Sequence, residues 1–264
     1  MKAGFIQFEP IFGEIDRNLE RVESLIEKAD ADLLVLPELF NTGYLFTSKQ
    51  EAIDLSEEVP GGKTTQMLCR MAREKNLYLV GGLAEKSGEK FFNSAVLVSP
   101  EGYVGTYRKV HLFFEETLWF DPGDKGFEVY DIGKCRLGIM ICFDWIFPEA
   151  MRVLSLKGAD IICHSSNLVL PFCQDAMITR CLENHVFAIT ANRTGTEKRG
   201  GESLHYTGKS QITGLGADLL YRAGGDTEEV GVVDIDVEMA RDKKLNDYNN
   251  LFRDRRPEFY GDIR

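Results

Sequence analysis

Short apolar runs alternate along the chain with segments whose apolar residues recur every three or four positions, a succession that predicts strands and helices in turn. Ala3 to Phe8 reads as a first strand, and from about Asp16 the residues Leu19, Val22, Leu25 and Ile26 mark one face of a helix. Leu33 to Leu36 is a continuous apolar run between Asp32 and Pro37, the pattern of a strand covered on both faces. A second helix, Thr64 to about Lys75, carries Met67, Leu68, Met71 and Ala72; the strand after it, Leu77 to Val80, is expected to break at Gly81-Gly82. Asn93 to Ser99 and Tyr103 to Tyr107 flank Pro100-Glu101-Gly102, turn chemistry that predicts a hairpin and an antiparallel section.

Beyond it, Arg136 to Ile141 and Asp160 to His164 read as strands separated by a helix starting near Pro148, where proline suits the first turn. A helix from about Gln174 to Asn184 leads into the strand Val186 to Ala191. Lys209 to Thr213, Asp218 to Tyr221 and Val230 to Ile235 continue as strands, with a short polar helix near Val237 to Lys243, and Lys198 to Glu202 around Gly200-Gly201 reads as a solvated loop. This order predicts an α/β protein with a mixed sheet. No linker divides the chain, so residues 1–264 are expected to form one domain. Ala31-Asp32 before one apolar strand and Ala159-Asp160 before another are a faint echo that would suit two similar halves packed face to face.

Composition narrows the function. The chain of 264 residues carries 31 Lys plus Arg against 42 Asp plus Glu, a net charge of −11, with 44% hydrophobic residues. That balance argues against nucleic acid, which requires a basic face. No apolar run approaches the roughly 18 residues of a membrane span, and MKAGFIQFEP lacks the apolar core of a secretory signal. The six cysteines are therefore expected to be free thiols in a reducing compartment, the cytoplasm. No CxxC occurs and the four histidines do not fall at ligand spacing with the cysteines, so no metal is expected. GxGxxG, GxxxxGK[ST] and GxSxG are likewise absent.

Three residues stand out. Cys142 ends a buried strand a few residues before a helix begins, a placement where nucleophiles of α/β proteins collect; a small buried packing cysteine has the same pattern. Glu38, in Leu36-Pro37-Glu38-Leu39-Phe40, follows another buried strand, and an acid among apolar neighbours requires a partner unless it lies on the surface. Lys109, in Tyr107-Arg108-Lys109-Val110-His111, follows the hairpin; most lysines are simply solvated. Together a thiol, a carboxylate and an ammonium suffice for acyl transfer.

Glu38 in LPELF, Lys109 in YRKVHLF and Cys142 in GIMICFDWIFPE, in that order, resemble the catalytic signature of the nitrilase superfamily of carbon-nitrogen hydrolases. The resemblance runs over essentially the whole chain, including Asp121-Pro122-Gly123-Asp124, Lys157-Gly158-Ala159-Asp160 and Gly208-Lys209-Ser210, and is greatest to small stand-alone prokaryotic members, among them archaeal enzymes acting on aliphatic nitriles. It implies an α-β-β-α four-layer sandwich with two mixed sheets and a second glutamate beside the trio. Glu115 and Glu116 compete for that place, and counting back from Asp121 favours Glu116.

The implied reaction converts a small amide or aliphatic nitrile to the acid and ammonia through a thioester on Cys142. Glu38 is its base, Lys109 and the backbone N–H of Phe143 stabilise the developing charge, and no cofactor takes part. Tyr44, Trp119, Trp145 and Asn167 are candidate pocket residues, equally at home as packing. An N-carbamoyl amidohydrolase with the same trio is the alternative, and a non-catalytic scaffold or thiol redox sensor a more distant one. Oligomers of the superfamily pair through helices that here correspond to Pro148 to Lys157 and Gln174 to Asn184, so a homodimer or larger is expected. The aromatic tail 246–264 is expected to pack on the body or on a partner subunit.

Overall fold

The structure, a computed structural model, describes residues 1–263. The first half of the chain runs β1 (Lys2–Gln7), α1 (Ile15–Lys28), β2 (Leu33–Val35), α2 (Lys49–Leu55), β3 (Glu57–Glu58), α3 (Lys63–Lys75), β4 (Tyr78–Ser87), β5 (Lys90–Ser99) and β6 (Gly102–Arg108). After α4 (Glu116–Trp119) come β7 (Val129–Asp131), β8 (Arg136–Ile141), a 3-10 turn over Cys142–Ile146, α5 (Pro148–Leu156), β9 (Ile161–Ser166), α6 (Cys173–Asn184) and β10 (Phe187–Asn192). The chain ends through β11 (Thr196–Arg199), β12 (Glu202–His205), β13 (Gln211–Thr213), β14 (Leu219–Arg222) and β15 (Glu229–Asp234).

One sheet has the order β15-β1-β2-β4-β5-β6, with β3 beside β4; the other has the order β14-β13-β10-β9-β8-β7. β1, β2 and β4 are parallel, as are β8, β9 and β10, and antiparallel strands extend each sheet outward. Period-two alternation sorts the apolar residues of the first sheet. Ala3, Phe5, Leu33 and Val35 point into the core shared with the second sheet, whereas Ile6, Leu34 and Leu36 meet Leu19, Val22 and Ile26 of α1 and Leu68 and Met71 of α3. Each such buried side chain larger than alanine contributes about 1.5–3 kcal/mol by leaving water. β1 lies face to face on β10, and β2 and β4 on β9, while α5 and α6 cover the far side of the second sheet. The result is an α-β-β-α sandwich built on two mixed sheets.

β4 differs from the sequence expectation, because it runs straight through Gly81 and Gly82 instead of breaking there. These glycines serve close approach. A Cβ on Gly82 would lie 2.6 Å from the Glu38 Cα and 2.8 Å from the Leu39 N, and one on Gly81 would lie 2.8 Å from the Phe40 ring. Residues 198–202 form the tip of the β11–β12 hairpin, with Gly200 and Gly201 at φ +59° and +91°, so that loop is structured on both flanks. In the tail, the Phe252 ring lies under Arg152 of α5 and Lys243, while Tyr248 is 87% exposed. Among the described residues no helix is long and apolar enough to cross a membrane.

Gly82→Ala is expected to destabilise the fold by about 1–3 kcal/mol in denaturant titration, as overpacking does. Gly61→Ala, whose added methyl would meet nothing within 4 Å, is expected to stay within about 0.5 kcal/mol of wild type. Equal effects from the two would contradict the close-approach role.

Candidate active site

Three chain segments reach one point between the sheets. Past β2 the chain turns at Leu39 (φ +47°), and the turn is stitched to β4 by Gly82 N–H to Pro37 O (3.1 Å) and Phe40 N–H to Gly82 O (3.0 Å). Asn167 Nδ2 donates to the Glu38 carbonyl from just past β9 at 2.9 Å. Lys109 leaves β6 with its N–H on Asn93 O and its carbonyl accepting from Gly123 N–H, both at 2.8 Å. Gly123 packs so closely that a Cβ there would lie 2.1 Å from the Arg108 carbonyl, so the Asp121–Asp124 turn lies flat against Lys109. Beside it Arg108 joins Glu85 and Asp124 and lies 4.0 Å over the Phe92 ring. Cys142 follows β8 at φ +41°, a left-handed conformation that costs about 1–2 kcal/mol for a residue with a Cβ.

Lys109 Nζ lies 2.7 Å from Glu38 Oε1 and 2.6 Å from Glu116 Oε1, and the three side chains are buried. Asn93 Nδ2 donates to Glu38 Oε1 at 2.7 Å and to Glu116 Oε2 at 3.4 Å. Tyr44 O–H donates to Glu116 Oε1 at 2.6 Å. Glu38 Oε1 thus receives both Lys109 and Asn93, which leaves Oε2 without a protein donor. Burial pushes the Glu38 carboxyl up to about 7, with Lys109 opposing and Glu116 assisting. Burial works against the Lys109 charge too, but Glu116 and Glu38 outweigh it and hold the ammonium above its ordinary value. Burial, then the Glu38 charge, pushes the Cys142 thiol well up. The resting thiol is therefore protonated beside a carboxyl that burial has lifted toward neutrality, a pairing suited to proton transfer.

The hollow over Cys142 is lined by Phe113, Phe143, Trp145, Asn167, Leu168 and Val169, among others. A neighbouring hollow is lined by Tyr44, Glu116 and Trp119, so Trp119 stands apart from the thiol while Trp145 and Asn167 stand beside it. Glu116, not the half-buried Glu115, reaches Lys109. The Phe143 N–H lies in the first turn of the 3-10 segment, where backbone donors have no partner within the helix. His164 Nε2 meets the Cys142 carbonyl at 2.9 Å, and burial lowers its pKa to about 4, so it stays neutral. Asn93 was not singled out by the sequence pattern; its signal is one amide side chain inside the apolar run Phe91 to Ser99. All six cysteines are unpaired. Among the described residues no three His, Cys, Asp or Glu side chains gather into a metal-holding group.

The sequence profile of the family described as "Carbon-nitrogen hydrolase" matches residues 2–244. The chain belongs to the carbon-nitrogen hydrolase family. It is 47% identical to a nitrilase of Pyrococcus abyssi over 263 residues, 98% of this chain and 99% of the other. It is 33% identical to an (R)-stereoselective amidase of Pseudomonas sp, across 97% of this chain and 92% of that one. The crystal structure of a carbon-nitrogen hydrolase from Helicobacter pylori G27 superposes with a TM-score of 0.90 at 27% identity, covering 100% of this chain and 98% of that one. This carbon-nitrogen hydrolase is therefore a nitrilase-superfamily enzyme acting on carbon-nitrogen bonds, and the buried carboxyl–ammonium cluster lies at the carboxyl ends of its strands, where such sheets place their ligands.

The raised Glu38 pKa also bears on stability. Its folded value, about 7, lies above the ordinary 4.5, so its contribution to stability is present in full below pH 4.5 and is lost as pH rises through 7. Glu38→Gln, which mimics the protonated form, is expected to resist denaturant better than wild type at pH 8, with the advantage shrinking toward pH 5. A difference that is flat across this range would contradict the shift.

Proposed function

We propose that the protein hydrolyses a small amide or aliphatic nitrile to the carboxylic acid and ammonia through a thioester on Cys142. The observation that carries this reading is the single ammonium of Lys109 held between two buried carboxyls beside that thiol. Glu38 Oε2, the oxygen free of protein donors, takes the thiol proton as Sγ attacks the substrate carbon. Charge gathering on the carbonyl oxygen faces Lys109 and the Phe143 N–H, a fixed arrangement that supplies several kcal/mol in a dry site. The adduct breaks its C–N bond as Glu38, helped by Glu116, returns a proton to the departing ammonia. Water then loses a proton to Glu38, attacks the thioester and releases the acid, and the proton goes back to sulfur. A nitrile first gives a thioimidate, to which water adds before ammonia leaves.

The lining of Phe113, Phe143, Trp145, Leu168 and Val169 supports an uncharged, slim substrate over an N-carbamoyl amino acid, since Lys109 is engaged by Glu38 and Glu116 and the described residues that line this hollow include no Lys or Arg to receive a second carboxylate. Tyr44 holds Glu116 in place, and Asn167 holds the Glu38 backbone. Val153 and Leu156 on α5 and Leu182 on α6 are exposed apolar residues, which supports a homodimer through those helices. Six unpaired thiols suit a reducing compartment such as the cytoplasm.

Incubation with a panel of small amides, nitriles and carbamoyl compounds, followed by ammonia release and intact mass, is expected to show turnover and a covalent adduct that Cys142→Ala abolishes. Turnover undiminished in Cys142→Ala would defeat the reading, and carbon dioxide released with ammonia would move it to a carbamoyl substrate. kcat/KM is expected to fall about tenfold per pH unit below about pH 7, as protonation removes the Glu38 base. Light scattering at micromolar concentration is expected to give twice the 29.8 kDa chain mass or a larger multiple; a monomer would count against the pairing.

A further inference from the structure

Cys142 and Lys109 stand on different sheets, yet one buried carboxylate joins the segments that carry them. Asp144 lies two residues past Cys142 and is fully buried. Its Oδ2 accepts from the Ile141 N–H at 2.9 Å and the Tyr107 O–H at 2.7 Å. Its Oδ1 accepts from the His111 N–H at 3.3 Å and meets His111 Nδ1 at 2.8 Å. Tyr107 and His111 flank Lys109 two positions to either side, and the Tyr107 oxygen also accepts from the Val110 N–H at 3.2 Å. Ile141 is the residue before Cys142. A single side chain is thus bonded by both flanks of the ammonium and by one flank of the thiol.

The donors that face Asp144 are themselves fixed. The His111 ring stacks on Phe147 at 3.8 Å between centroids and 15° between planes, and the Tyr107 ring stacks on Phe127 at 5.6 Å. Cys142 needs such support, because a non-glycine residue at φ +41° persists only where its surroundings over-determine it. His164 holds the carbonyl side of the same residue, and Asp144 holds the N-terminal side through Ile141.

We propose that Asp144 is a positioning residue that sets the thiol of Cys142 against the ammonium of Lys109 across the two sheets. The proposal rests on the reading of Cys142 as nucleophile and Lys109 as its electrostatic partner. Asp144 touches no reacting atom; it acts through Tyr107, His111 and Ile141. With His111 protonated on Nδ1, all its partners are donors, so the position calls for a carboxylate with acceptor sites on both oxygens. An asparagine of the same shape would turn an NH2 against a donor and surrender at least one bond. Displacement of a reacting group by about 1 Å is enough to cost 100-fold in rate.

The test compares wild type, Asp144→Asn, Tyr107→Phe, the double variant and Cys142→Ala, with the folded fraction of each fixed by circular dichroism well below its Tm. Asp144→Asn is expected to lower kcat per folded molecule at least tenfold with KM within twofold, and to slow alkylation of Cys142 by iodoacetamide in parallel. The acid limb of its pH profile is expected to keep its midpoint, since the base is untouched. Tyr107→Phe, which deletes one donor without changing shape, is expected to lose about three- to tenfold in kcat, and the double variant to be no worse than Asp144→Asn alone. A purely structural Asp144 would lower Tm and leave kcat and alkylation per folded molecule within twofold, which would overturn the proposal. Should Asp144→Asn not fold, an unchanged kcat in Tyr107→Phe overturns it equally. Full turnover in Cys142→Ala would sink the nucleophile reading and this proposal with it, whereas a dead Cys142→Ala beside an unaffected Asp144→Asn sinks the proposal alone.

Discussion

An ammonium ion cut off from water is the constraint around which this molecule is arranged. An isolated buried charge is prohibitively unfavourable, and it becomes tolerable only with opposite charge and hydrogen bonds at close range. Lys109 obtains both from Glu38 and Glu116 at 2.7 and 2.6 Å. Two carboxyls around one ammonium raise a second difficulty, which Asn93 and Tyr44 relieve by donating to them. Every group that solves one problem needs a neighbour in turn, so the network extends from β5 through the loop after β2 to α4. The unmet part of that demand is what makes the site useful: burial, with the Glu116 charge adding to it and Lys109 opposing, lifts Glu38 into the range where it exchanges protons near neutrality.

The backbone accommodates this cluster by unusual means. Gly82 and Gly123 carry no Cβ because Glu38 and Arg108 occupy that space, and Leu39 and Cys142 take left-handed conformations at the turns that follow β2 and β8. Each of these is unfavourable or restrictive locally and is compensated by packing elsewhere, in keeping with the concentration of strain at reacting centres.

Much of this was legible in the sequence. The continuous apolar run Leu33 to Leu36 and the apolar strand before Cys142 marked buried strands of a mixed sheet, the family resemblance supplied the second sheet, and the helix faces of α1 and α3 followed from three- and four-residue spacing. Glu38, Lys109 and Cys142 were marked by their flanking residues. What escaped was whatever depends on neighbours distant in the chain. Gly81-Gly82 reads as a break, because glycine disfavours strands on its own account, and only the approach of Pro37 to Phe40 explains its presence. α4 spans four residues, too few to show a period. The acidic Asp144, set beside Trp145 and near Pro148, gives no hint that its bonds run to Tyr107 and His111. Asn93 offered only an amide inside an apolar run, and the β11–β12 hairpin was silent for the same reason.

The pairing of β1 with β15, Lys2 opposite Asp234 and Gln7 opposite Glu229, has a consequence for how the protein comes into being. The strand made first waits for the strand made last, and between them lies nearly every residue of the cluster. During synthesis, Glu38 and Lys109 emerge well before Cys142, and the first sheet stays unfinished while the second is being threaded out. Contacts this distant in the chain close slowly. Cys142 is therefore made before the sheet that faces it is complete, and the buried surroundings of its thiol arrive late, as a property of the finished molecule.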